Sequence, residues 1–169
     1  EYREGWQLRE PDLVVTFPEA VEVPADGLEL FRNFVVPVPA AADRVVAAVE
    51  IRPGSPAVHH ALLVVDSTGS ARARDAADPE LGFSGMDMAG AKPPDGYFLG
   101  WTPGREPREL PIGMGFGLPR GGDLVLQLHL TPTGKRETFK PRIGFFFRDQ
   151  QPTVVSFPLT MFAAGIDLP

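Results

Sequence analysis

At 169 residues with a 43% hydrophobic content, the chain is long enough to bury about two-thirds of its unfolded surface in one domain, and too apolar to be disordered. A net charge of −6 with dispersed Lys and Arg argues against a nucleic-acid surface, and no run of about 18 apolar residues is present to span a membrane. Cysteine is absent, which excludes disulfides, thiolate metal sites and a cysteine nucleophile without fixing the compartment.

Eighteen glycines and nineteen prolines are scattered through the chain, as expected where many short strands are joined by turns. Apolar or alternating runs predict strands at 13–17, 28–36, 44–51, 58–65, 97–101, 124–131, 143–148 and 153–162. Turn residues punctuate them at Pro24 to Gly27, Pro53-Gly54, Ser67 to Gly69, Gly121 to Asp123 and Pro132 to Gly134. Residues 71–79 are the one place for a short helical turn, and the Gly- and Pro-rich stretch 81–96 reads as a long loop. With no internal repeat and no linker, residues 1–169 are expected to form a single all-β domain. The fold class is an antiparallel β-sandwich of jelly-roll type with about eight to nine strands. The first residue is not Met and no signal-like segment is visible, so the chain is expected to be a mature or trimmed piece.

The three histidines carry the chemical information. Two are adjacent in Val58-His59-His60-Ala61-Leu62-Leu63, and the third lies in Leu126-Gln127-Leu128-His129-Leu130. All three sit within apolar strands, where an unpartnered imidazole is costly to bury. One explanation is that each is a core histidine bonded to backbone, and regular strand geometry favours it, because adjacent side chains point to opposite faces. The other is a shared metal site, which His59 and His60 can both reach only if the strand ends or bulges there. Pro56, just upstream, makes such an irregularity expected at that end. Three imidazoles without a thiolate suit copper or zinc better than magnesium or calcium.

Other candidates carry less. Met86, Met88 and Met114 are possible additional soft ligands, against the commoner role of methionine in loops and cores. The glycine-rich Gly113 to Gly117 stretch precedes a strand rather than a helix, so it is read as a turn-rich connection and not a phosphate cradle. No histidine has a neighbouring signature of nucleophilic catalysis. Trp6, Trp101 and Phe145-Phe146-Phe147 are read as packing.

In chain order, Ala57 to Leu63 with its paired histidines, Trp101, Leu110 to Phe116 and Leu124 to His129 together resemble the first catalytic domain of the copper type II, ascorbate-dependent monooxygenases. That family includes peptidylglycine α-hydroxylating monooxygenase and dopamine β-hydroxylase. Arg142 to Phe146 and Met161 to Gly165 are similar to the closing strands of that domain, so the likeness runs from about Phe31 onward. The resemblance implies a jelly-roll sandwich holding one copper through His59, His60 and His129, cycling between Cu(I) and Cu(II) with ascorbate as reductant. It also implies a supporting role for Gln127 two residues before His129, a second copper domain as partner, and a periplasmic or secreted location.

The chain departs from the family in having no further histidine after His129, no His-x-His pair, no disulfides, and Leu130 where an aromatic is common. The function expected on these grounds is the electron-transfer domain of a bacterial-type copper monooxygenase, an oxidoreductase domain unable to hydroxylate alone. Its electron donor would be ascorbate or a redox protein, with no nucleic acid and no membrane span involved. Two alternatives are a non-enzymatic copper-binding or storage module and a metal-free sandwich that serves as an interaction domain.

Overall fold

The computed structural model describes residues 5–92 and 99–154. In chain order the strands are β1 (Leu13–Thr16), β2 (Val21–Val23), β3 (Leu30–Pro37), β4 (Arg44–Arg52) and β5 (Val58–Asp66). Helix α1 (Ser70–Ala77) follows, then β6 (Phe83–Ser84), β7 (Leu99–Trp101), β8 (Phe116–Leu118), β9 (Asp123–Leu130), β10 (Glu137–Phe139) and β11 (Arg142–Arg148). They form a four-stranded sheet in the order β1-β11-β4-β8, a five-stranded sheet in the order β6-β3-β9-β5-β7, and a two-stranded ribbon of β2 and β10. Every pairing between named strands is antiparallel, and β3, β4 and β5 alternate between the two large sheets, the crossing pattern of a jelly roll.

Side-chain alternation decides what each sheet face buries. Leu124, Leu126, Leu128 and Leu130 of β9 point inward with Phe34 and Val36 of β3 and with Ala61, Leu63 and Val65 of β5. Facing them are Val15 of β1, Val46 and Ile51 of β4, Phe116 and Leu118 of β8, and Ile143 and Phe145 of β11. Val21, Val23 and Phe139 of the ribbon join the same core, and Phe17 meets Phe34 edge-on at 5.9 Å. At Gly144, on the outer side of β11, a Cβ would stand 2.7 Å from Pro11 and 2.9 Å from Trp6, so only glycine lets the N-terminal segment lie there.

The outer face of the five-stranded sheet is divided. Toward the ends of β5 and β3 it is apolar and covered: Val64, Val125, Phe83 and Ala71 of α1 form a small second cluster, joined by Val35 and Met88. Helix α1 begins at Gly69, which has no side chain to cap it. Asp66 at the end of β5 does that work, accepting from the Ala71 amide at 2.7 Å, the Thr68 amide at 2.8 Å and the Thr68 and Ser70 hydroxyls at 2.6 and 3.3 Å. Burial alone would raise the Asp66 carboxyl pKa, but these bonds outweigh it and hold the group below the ordinary aspartate range.

The stability Asp66 contributes is therefore present above its unfolded pKa of about 3.9 and lost as pH falls through the lower folded value. Asp66→Ala is expected to cost about 1–3 kcal/mol at pH 7 by denaturant unfolding, and the deficit against wild type to narrow below about pH 4.

The all-β sandwich expected from the sequence is what forms, and the helical turn expected at 71–79 is α1. The strand count is corrected from eight or nine to eleven among the described residues. The added strands β2, β6, β8 and β10 are two or three residues long, too short for their alternation to register as a period. Of the strand expected at 153–162, only Thr153 and Val154 are described, and Val154 bridges Met114. The rest of that stretch lies outside the described residues, as do Tyr97, Phe98 and the Met161 to Gly165 segment. Among the described residues no helix is long and apolar enough to cross a membrane.

Candidate metal centre

The other part of the same outer face carries the histidines, and a register shift brings them together. Along β5 and β9, Leu130 faces Val58 and His129 faces His60, so β9 advances one residue while β5 advances two. His59 is the extra residue of a β-bulge. Val58 and Ala61 both point into the core, which leaves two successive residues between them turned outward instead of one. The irregularity anticipated from Pro56 is this bulge, which follows directly on the turn where the Val58 amide donates to the Ser55 carbonyl.

On that face the rings converge through the same atom. His60 Nδ1 lies 3.3 Å from His59 Nδ1 and 3.3 Å from His129 Nδ1, and all three candidate ligand atoms lie within 4.8 Å of one another. Nitrogens bound about 2.0–2.1 Å from one ion at tetrahedral to trigonal angles stand about 3.3–3.6 Å apart, so both short separations fit a shared cation. Hydrogen bonding accounts for the cluster less well. A neutral imidazole Nδ1 has a single in-plane position for a proton or a lone pair, so His60 cannot bond well to both neighbours at once. A cation bound to His60 Nδ1 accounts for both of its short contacts.

Burial, followed by the charges that protonated His129 and His59 would carry, holds the His60 pKa below the usual imidazole range, which favours the neutral form a metal needs. Exposure is graded: His129 is buried, His60 half-buried and His59 exposed. Among the described residues this is the group of three such side chains able to hold a metal ion.

No protein-family model matches the chain, and no curated protein sequence matches it.

Around the histidines, β3 and the residue just ahead of it supply side chains that sequence reasoning missed. Phe31 faces His129 across the ladder and stacks on its ring at 4.2 Å between centroids and 10° between planes. Glu29 accepts a hydrogen bond from His129 Nε2 at 2.9 Å. Asn33, facing Gln127, donates to the Phe83 and Gly85 carbonyls at 3.2 and 2.8 Å. The available signal was the 29-31-33 alternation, but it becomes informative only once β3 is known to pair with β9.

Gln127 lies on the face of His129, as its spacing predicts. Its side-chain amide donates to Asn33 Oδ1 at 2.9 Å and to the Met86 carbonyl at 3.0 Å, tying the loop after β6 to the strand beside the site. Met86 is thus brought next to Gln127 by its backbone, with its side chain largely exposed. Met88 packs in the small cluster under α1. Met114 precedes β8 of the opposite sheet, where its carbonyl accepts from Arg148 at 2.7 Å.

Proposed function

We propose that the chain is a copper-binding electron-transfer domain of an ascorbate-dependent copper monooxygenase, with His59, His60 and His129 holding one copper ion. The observation that carries this reading is the meeting of three imidazole nitrogens within 4.8 Å on one sheet face, with His60 Nδ1 3.3 Å from each of the other two, a spacing that suits ligands of a single ion. Three imidazoles with no thiolate favour copper or zinc over magnesium or calcium, and the choice of copper comes from the resemblance in the flanking motifs. Bound there, copper would supply one-electron transfer between its two common oxidation states.

The chain's own residues do the rest. Burial lowers the His60 pKa and so favours its neutral ring, Phe31 backs the His129 ring, and exposed His59 leaves one side of the site open to ascorbate or a redox protein. The reading requires a second copper centre on another domain or polypeptide for hydroxylation, and it carries with it a periplasmic or secreted setting.

The test is anaerobic titration of the metal-free protein with Cu(I) and Cu(II), in wild type and His129→Ala. One equivalent per wild-type chain, a Cu(II) paramagnetic signal bleached by ascorbate, and sharply weaker uptake by the variant are expected. Equal affinity in the variant removes His129 from the site. Tight binding that ascorbate does not reduce leaves a storage module instead. Sustained hydroxylation by this chain alone contradicts the division of labour.

A further inference from the structure

We infer that Glu29 is a positioning residue for this site, holding His129 in the one ring orientation and tautomer that turns a lone pair toward His60 and His59. The inference rests on the metal-site reading and concerns a residue outside the three ligands. Glu29 stands two residues before Phe31, just ahead of β3, and so lies diagonally across the ladder from His129.

Beyond the contacts that His59 and His60 make with it, the His129 ring is restrained by Phe31 and Glu29, and they restrain different things. Stacking on Phe31 at 4.2 Å and 10° fixes the plane of the imidazole. It does not distinguish the ring from its 180° flip about Cβ–Cγ, which keeps the same plane while exchanging Nδ1 with Cδ2 and Nε2 with Cε1. Nor does it choose which nitrogen carries the proton. Glu29 settles both. Its ionised carboxylate only accepts, so Nε2 at 2.9 Å must donate, and in the flipped ring a carbon would take that place. With the proton on Nε2, the Nδ1 lone pair is free and faces His60 Nδ1 at 3.3 Å. A carboxylate behind a ligating imidazole also makes the ring a stronger donor. The Glu29 side chain is 61% exposed, so water competes for the same proton and the effect belongs at the lower end of the range for such partners.

The test uses two variants and two readouts on the full chain. In metal-free protein with ¹⁵N-labelled histidine, long-range proton–nitrogen correlation reports the tautomer of each ring. Wild-type His129 is expected wholly as the Nε2–H form, Glu29→Ala as a mixture, and Glu29→Gln as wild type, because its amide oxygen still accepts. Cu(II) affinity should fall about ten-fold in Glu29→Ala. In Glu29→Gln, which keeps the orientation but loses the charge, Cu(II) affinity should fall more than Cu(I) affinity. An unmixed Nε2–H tautomer together with unchanged copper affinity in Glu29→Ala overturns the inference. Failure of wild type to take up copper instead overturns the metal-site reading, and the tautomer result still decides what Glu29 does to the ring.

Discussion

His60→Ala is expected to abolish stoichiometric copper uptake, weakening affinity by more than about 100-fold, while leaving the fold intact. Of the three rings, His60 is the one whose Nδ1 lies 3.3 Å from both others, so its loss leaves His59 and His129 as two ligands without a bridge between them. Removing a supporting partner of a ligand typically costs 10–100-fold, and removing the central ligand of three exceeds that. The fold should tolerate the change because the β5–β9 ladder is made by backbone, and because half-burying an imidazole is itself unfavourable. Copper titration and thermal unfolding of the metal-free protein check the two halves. A variant that binds one equivalent with wild-type affinity takes His60 out of the site.

Phe145→Ala should do the reverse. Phe145 is 1% exposed on the inner face of β11, in the sheet that does not carry the histidines. Truncating a buried phenylalanine removes its transfer free energy and leaves a cavity, together about 3–5 kcal/mol. For a domain of this size that lowers the melting temperature by roughly 6–20 °C. Measured well below that midpoint, copper affinity per folded molecule should match wild type. A fall in affinity comparable to that of His60→Ala would mean that the two sheets are coupled far more strongly than separate packing implies.

The two variants also mark how far the sequence alone reaches. The strands expected at 13–17, 44–51, 58–65, 124–131 and 143–148 coincide with β1, β4, β5, β9 and β11 to within a residue, because each is a sustained apolar run bounded by turn residues. The identity of the three histidines was equally plain, since the chain has no others. Their convergence was not. A bulge shows in a sequence as a break in alternation, but Leu62 and Val64 make the outer face of β5 apolar as well, so no alternation was visible to break. Glu29, Phe31 and Asn33 stayed hidden for a different reason. Their relation to His129 and Gln127 spans 94 to 100 residues of chain and exists only through the pairing of β3 with β9.

The bulge at His59 has a consequence for how such a centre can arise or vanish. In an unbroken β5, histidines at these two positions would stand on opposite faces, one of them in the core. Point substitution within a regular strand therefore cannot assemble this triplet; the strand must first gain one residue relative to β9. Conversely, deleting a single codon between Val58 and Ala61 would restore the ladder and disarm the site in one step, with the surrounding sandwich left almost untouched. In chains of related sequence, the spacing between those two inward-facing residues is then a more telling mark of metal competence than the presence of the histidines themselves.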